Sequence, residues 1–99
     1  MKTVKRIEII IERNQKDKVT QLLDHLGLEG WTVIAVEEGQ GDRGARASGG
    51  LGGTVENCLV LVVVQPERLS PVLEGLRPLL ARWGGVCLVT DALWLKHPS

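Results

Sequence analysis

Gly39-Gln40-Gly41-Asp42-Arg43-Gly44-Ala45-Arg46-Ala47-Ser48-Gly49-Gly50-Leu51-Gly52-Gly53 lies between two apolar segments, and it cannot itself hold a core. Seven of the chain's twelve glycines fall here. Each adds backbone freedom that folding must remove. Small domains usually join their elements with about 4–6 residues, so so long a link carries function or stays disordered. Glycine leaves backbone N–H groups bare, which lets a loop wrap closely around an anion. Arg43 and Arg46 add charge and planar forks that match phosphate or carboxylate. The stretch therefore predicts an anion-gripping loop at about residues 38–53, held between two strands. The same composition also fits a solvated hairpin tip whose arginines meet only water.

On the N-terminal side, Trp31–Val36 alternates Trp31, Val33 and Ala35 against Thr32, Ile34 and Val36. On the other side, Thr54–Val64 carries the run Leu59-Val60-Leu61-Val62-Val63-Val64, the mark of a central strand. Because the loop joins these strands directly, they predict an antiparallel hairpin with an oversized tip. Further out, Val4–Glu12 passes into Ile9-Ile10-Ile11, which predicts a central strand paired on both edges. Asn14 then offers an N-cap, and Asp17 places a carboxylate in the first turn. Val19, Leu22, Leu23 and Leu26 form one apolar helical stripe, closed by Gly27 or Gly30.

After Val64, Pro66 opens a second helix, in which Leu69, Val72, Leu73, Leu76, Leu79, Leu80 and Trp83 keep helical spacing. Pro71 and Pro78 oppose it, since an interior proline costs roughly 3 kcal/mol. A kink or break is expected near Gly75–Pro78. Gly84-Gly85 closes the helix, Val86–Thr90 forms a fourth strand, and Ala92–Lys96 suggests a short extension.

The order is strand, helix, strand, strand, helix, strand. Right-handed crossovers fold it into a four-stranded antiparallel sheet with both helices on one face. This is the ferredoxin-like βαββαβ architecture of the α+β class, expected as a single domain over residues 1–99. The first and third strands should be central. One sheet face is left without a helix, and oligomerisation is expected to bury it.

Composition narrows the function. The sequence is 43% hydrophobic with a formal net charge of +0, which opposes global disorder and lacks the basic face of a nucleic-acid binder. Its aromatic residues are three tryptophans, too few for a base-stacking platform. Cys58–Val64, the longest apolar run, is too short to span a bilayer, which needs about 20 residues. Met1–Arg6 lacks the apolar core of a signal peptide, so a cytoplasmic protein is expected. Cys58 and Cys87 fit neither a metal-ligand spacing nor a disulfide framework, and fall on strands that are not neighbours.

Gly39, Gly41 and Gly44 match the dinucleotide-binding fingerprint in spacing, but that motif needs a following helix and a larger parallel sheet. Ala45–Gly50 will not hold a helix. A Walker-type loop is excluded because no Gly-Lys-Ser/Thr follows. A better match combines Gly30-Trp31-Thr32-Val33 with Gly39-Gln40-Gly41-Asp42-Arg43-Gly44-Ala45-Arg46-Ala47-Ser48-Gly49. Together these resemble the strand and T-loop base of PII-like signalling proteins. Within them the chain is most similar to the bicarbonate-associated branch, the carboxysome-linked PII-like proteins and the SbtB-like regulators of the bicarbonate transporter SbtA. The motif covers about twenty residues, and the order of elements agrees along nearly the whole chain.

The resemblance implies a homotrimer that binds adenine nucleotides in clefts between subunits and regulates inorganic-carbon uptake or fixation. A membrane bicarbonate transporter or a carboxysome-associated protein would be its target. Position by position it implies that Thr32 lies beside the adenine and that Gly39 and Gly41 follow the ribose and phosphates. Arg43 and Arg46 would contact phosphate, with Arg46 and Ser48 the implied bicarbonate contacts. Gly84-Gly85 matches a shortened B-loop reaching the phosphates from the next subunit. The chain departs from nitrogen-sensing PII in having no tyrosine for uridylylation, no B-loop lysine and no paired C-terminal arginines. Fewer cations favour AMP, ADP or cyclic AMP over ATP. No catalytic residue, metal ligand or covalent cofactor is implied. The rivals are a slow nucleotide phosphohydrolase in the same cleft and a CutA-like trimeric binding module.

The remaining polar residues suggest less. His25 and His97 are expected at the surface, and Lys2, Lys5, Lys16 and Lys18 as a solvated face. Asp17, Asp24, Glu29, Glu37 and Glu38 stand against no nucleophile. Trp31, Trp83 and Trp94 are expected in the core or at a subunit interface. Ser48 is also a weak phosphorylation candidate.

Overall fold

The two strands that flank the glycine-rich stretch pair antiparallel, Thr32 opposite Leu61 and Val36 opposite Asn57. The computed structural model describes residues 1–28, 30–36 and 56–95. Over these the order is β1 (Lys2–Glu12), a 3-10 turn (Arg13–Gln15), α1 (Lys16–His25), β2 (Thr32–Val36), β3 (Asn57–Val64), a 3-10 turn (Pro66–Arg68), α2 (Leu69–Trp83) and β4 (Val86–Trp94). The strands form one antiparallel sheet in the order β2-β3-β1-β4. The ferredoxin-like order is therefore present, and β1 and β3, the most apolar strands, occupy its centre.

Alternation along these strands divides the residues between two faces. Ile7, Ile9 and Ile11 of β1 and Cys58, Val60, Val62 and Val64 of β3 face the helices, none more than 4% exposed. Leu23 of α1 and Val72 and Leu76 of α2 close over them. Burying one such aliphatic side chain is worth about 1.5–3 kcal/mol, so this layer is the main source of stability.

Both helices depart from the sequence expectation. Asn14 does not cap α1. It lies within the 3-10 turn, and Gln15 occupies the cap position without a side-chain cap bond. The backbone N–H of Arg13 donates to the carbonyl of Glu56 at 2.7 Å, which draws the turn against the stem of β3 and delays the helix to Lys16. The C-terminus behaves as expected. Gly27, at φ 75°, donates to Asp24 at 2.9 Å, and Leu28 to Leu23 at 3.0 Å. This pair of bonds is a Schellman motif, with buried Leu28 as its apolar partner.

Helix α2 runs unbroken through Gly75–Pro78, so the expected break is absent. Pro71 falls in the first turn, where backbone amides have no helical acceptor in any case. Pro78 and Glu74 are both exposed, so the carbonyl that Pro78 leaves without a donor meets water. Pro66 opens the preceding 3-10 turn and not the α-helix itself. Strand β4 also continues beyond Thr90 to Trp94 without a separate extension, because β1 starts at Lys2 and provides a partner that far.

The sheet face turned away from the helices carries exposed apolar side chains. Ile34, Val86 and Leu88 on it are 47%, 49% and 50% exposed, and no element of the chain among the described residues covers them. Among the described residues, no helix is long and apolar enough to cross a membrane.

Candidate functional site

One end of the sheet carries the stem of the glycine-rich stretch and the Gly84-Gly85 turn. Val36 ends β2 there and Asn57 begins β3, so the glycine-rich stretch leaves and re-enters at this end. The Arg13–Gln15 turn and the Gly84-Gly85 turn stand at the same end, since Glu12 pairs with Asn57 and Ile10 with Val86. Gly39, Gly41, Arg43, Arg46 and Ser48 lie outside the described residues. So do Glu29, Glu37, Glu38 and His97.

The Gly84-Gly85 turn requires its glycines. Both have positive φ, 80° and 120°, a region that side chains oppose. A Cβ on Gly85 would lie 2.8 Å from the carbonyl oxygen of Ile10 and 2.9 Å from Ile11 Cγ2. The turn is thus pressed onto β1, where no side chain fits. A Cβ on Gly84 would meet nothing within 4 Å, so its outer surface is open. The Gly84 amide already donates to Leu80 at 2.8 Å. It offers a ligand close backbone approach and not a spare donor.

Two cations stand at this end: Arg13, which the sequence did not single out, and Lys16, which it placed in a solvated face. Burial pushes the Cys58 thiol above its ordinary value, while Lys16 and Arg13 draw it down. Both cations therefore act on the root of β3, next to where the glycine-rich stretch rejoins the sheet. Only the Arg13–Glu56 backbone bond places Arg13 there, and sequence spacing gave no sign of it. The expected solvated lysine face is also divided. Lys5 is paired with Asp91, and Lys18 Nζ lies 4.9 Å from the centre of the Trp83 ring. Lys2 remains exposed.

Thr32 is exposed at the start of β2 and points to the helix-free face. Strand β2 is one edge of the sheet and β4 the other. With two strands between them, at about 4.8 Å per spacing, Thr32 and the Gly84-Gly85 turn stand roughly 14 Å apart or more. The fold does not bring these residues together within one chain.

Cys58 and Cys87 are both free, separated by β1, with Cys58 opposite Ile11 and Cys87 opposite Ile9. Burial raises the Cys87 thiol as well. His25 is exposed. Trp31 is half-buried, and its Nε1 donates to Asp24 Oδ1 at 3.1 Å. Trp83 is half-buried, whereas Trp94 is 52% exposed and lies outside the core. Among the described residues, no group of three His, Cys, Asp or Glu side chains could hold a metal ion.

Residues 4–97 match the family model for nitrogen regulatory protein P-II. No curated protein sequence matches the chain significantly. Among solved structures, the chain is similar to CPII, a nitrogen regulatory PII-like protein from Thiomonas intermedia K12, bound to ADP, AMP and bicarbonate. Identity is 29% and the TM-score 0.78, over 92% of this chain and 87% of that one. The same protein bound to ADP and bicarbonate is 32% identical, with a TM-score of 0.77 and coverage of 92% and 87%. Its apo form aligns at 27% identity and a TM-score of 0.73, over 92% and 90%.

Proposed function

Since this chain belongs to the nitrogen regulatory protein P-II family, we propose that it is a trimeric PII-like signalling protein whose adenine-nucleotide sites lie between subunits. The observation that carries this is the position of Thr32 and Gly84-Gly85 on opposite edges of one sheet. Within a single chain two strands lie between them. A ring of copies brings the β2 edge of one subunit to the β4 edge of the next, and the two half-sites then meet. The apolar, helix-free face supports the same assembly, since it needs a cover.

In this reading Thr32 lies beside the adenine, and Gly39 and Gly41 follow the ribose and phosphates. Arg43 and Arg46 hold the phosphate charge. Gly84-Gly85 closes the site from the neighbouring subunit by close backbone approach. Arg13 and Lys16 add positive potential at the root of the loop. AMP, ADP or cyclic AMP is preferred over ATP, because the Gly84-Gly85 turn carries no lysine and β4 no paired arginines for the terminal phosphate. Bicarbonate is a second ligand, at Arg46 and Ser48, in keeping with the Thiomonas protein's being bound to both ADP and bicarbonate. The protein works as a regulator and not as an enzyme. Ligand charge selects the shape of residues 38–53, the T-loop. That shape decides whether a partner in inorganic-carbon uptake or fixation, such as a bicarbonate transporter or a carboxysome-associated protein, is engaged.

Isothermal titration with AMP, ADP, ATP and cyclic AMP, each with and without bicarbonate, tests this directly. Binding of at least one nucleotide, weakened by Arg43→Ala and Arg46→Ala, is expected. Silence for all four removes the proposal.

A further inference from the structure

The helix-free face is not uniformly apolar. At its centre, on β1, stand Arg6 and Glu8. Arg6 is flanked by Val63 and Thr90 and Glu8 by Leu61 and Leu88 on the neighbouring strands. Between Lys2 and Glu12 at the two ends of β1, they are the only charged side chains on this face among the described residues. Arg6 Nε lies 3.7 Å from Glu8 Oε1, with the side chains 47% and 26% exposed. This single long contact leaves most of the five guanidinium donors and much of the carboxylate to water.

Covering this face removes that water. One weak ion pair among apolar neighbours cannot then satisfy either group, and a buried charge without full partners opposes association. A second copy supplies the missing partners. In a ring of like-oriented subunits, the Arg6 side chains share one height along the axis. The Glu8 side chains share the next, about 6.6 Å further along the strand, within reach of an arginine fork. Each Arg6 then lies between its own Glu8 and that of the neighbour. Strand alternation makes this complementarity possible, because it places both opposite charges on one face.

We infer that Arg6 and Glu8 form an inter-subunit ion-pair ring that selects copies of this chain as the partner covering the helix-free face. This rests on the trimeric reading above and adds the charge code that specifies it. Apolar side chains supply the driving force, and the ring fixes the mutual height and identity of the subunits.

The test is sedimentation velocity over a concentration series on the full chain, with far-UV circular dichroism as a check on folding. Arg6→Glu and Glu8→Arg alone should each weaken assembly by about 100-fold or more, and the double reversal should restore it to within about 10-fold of wild type. Should a reversal fail to fold, the near-isosteric Glu8→Gln provides the reading, and a clear loss of assembly is expected. Full assembly by the single variants, or by Glu8→Gln, overturns the ring while leaving the trimer intact. A folded double reversal that stays dissociated overturns the ring as well. A wild-type chain that sediments as a monomer overturns both.

Discussion

Arg68, just before the second helix, donates from Nη2 to the backbone carbonyl of Leu26, just past the end of the first. The bond answers one of the carbonyls left open at a helix C-terminus, and its positive charge suits the negative end of the helix dipole. It ties together the two crossover helices at the sheet end away from the candidate site.

Arg68→Ala should therefore destabilise the fold by about 1 kcal/mol, the lower end for a charged hydrogen bond because the site is exposed. Arg68→Lys should recover only part of this, since a point charge does not reproduce the fork. Urea unfolding of the three proteins checks the order. Equal midpoints would show that the contact contributes nothing.

The two glycines of the α2–β4 turn should respond unequally. Gly84→Ala meets no clash but must adopt a backbone region (φ 80°, ψ −176°) that only glycine readily enters, at a cost of roughly 2 kcal/mol. Gly85→Ala adds a clash with the Ile10 carbonyl and should destabilise by about 3 kcal/mol or prevent folding. Thermal unfolding of both variants compares them, and a smaller loss for Gly85→Ala would contradict the packing described for the turn.

At Gly75 two effects oppose each other. A Cβ there would lie 2.9 Å from Leu22 Cδ1, the end of a flexible side chain, while alanine gains about 1 kcal/mol of helix propensity over glycine. Gly75→Ala should therefore leave stability within about 1 kcal/mol of wild type. A loss of several kcal/mol would mean that Leu22 cannot move aside.

The thiols give the molecule an alkaline limit. Burial holds Cys58 and Cys87 above their ordinary value of 9.0. As pH rises through that value the unfolded chain releases protons that the folded chain retains, so stability falls above it and is unaffected below. Denaturation midpoints at several pH values from 7.5 to about 10.5 should decline more steeply for wild type than for a Cys58→Ala, Cys87→Ala variant. Parallel curves would exclude the thiols as the cause.

Much of this was legible in the sequence because the apolar periods are strong. The Ile9–Ile11 and Leu59–Val64 runs identified the two central strands, and the Val19–Leu26 stripe identified α1. The errors arise where tertiary contacts outweigh local preference. Asn14 lost its capping role to the Arg13–Glu56 bond, and Pro78 is accommodated because its side of α2 faces water. Of the residues the motif singled out, only Thr32 and Gly84-Gly85 fall among the described residues, at the start of β2 and before β4. Arg13 went unremarked, and Lys16 was expected only in a solvated face, because only the folded chain brings the first turn against the root of β3.

The separation of Thr32 from Gly85 also has a genetic corollary. A chain damaged only at the β2 margin and one damaged only at the β4 margin each retain the half that the other has lost. In the trimer proposed above, co-expressing the two should form mixed rings with a junction built from two sound margins, so that two inactive alleles complement each other and regain the nucleotide response.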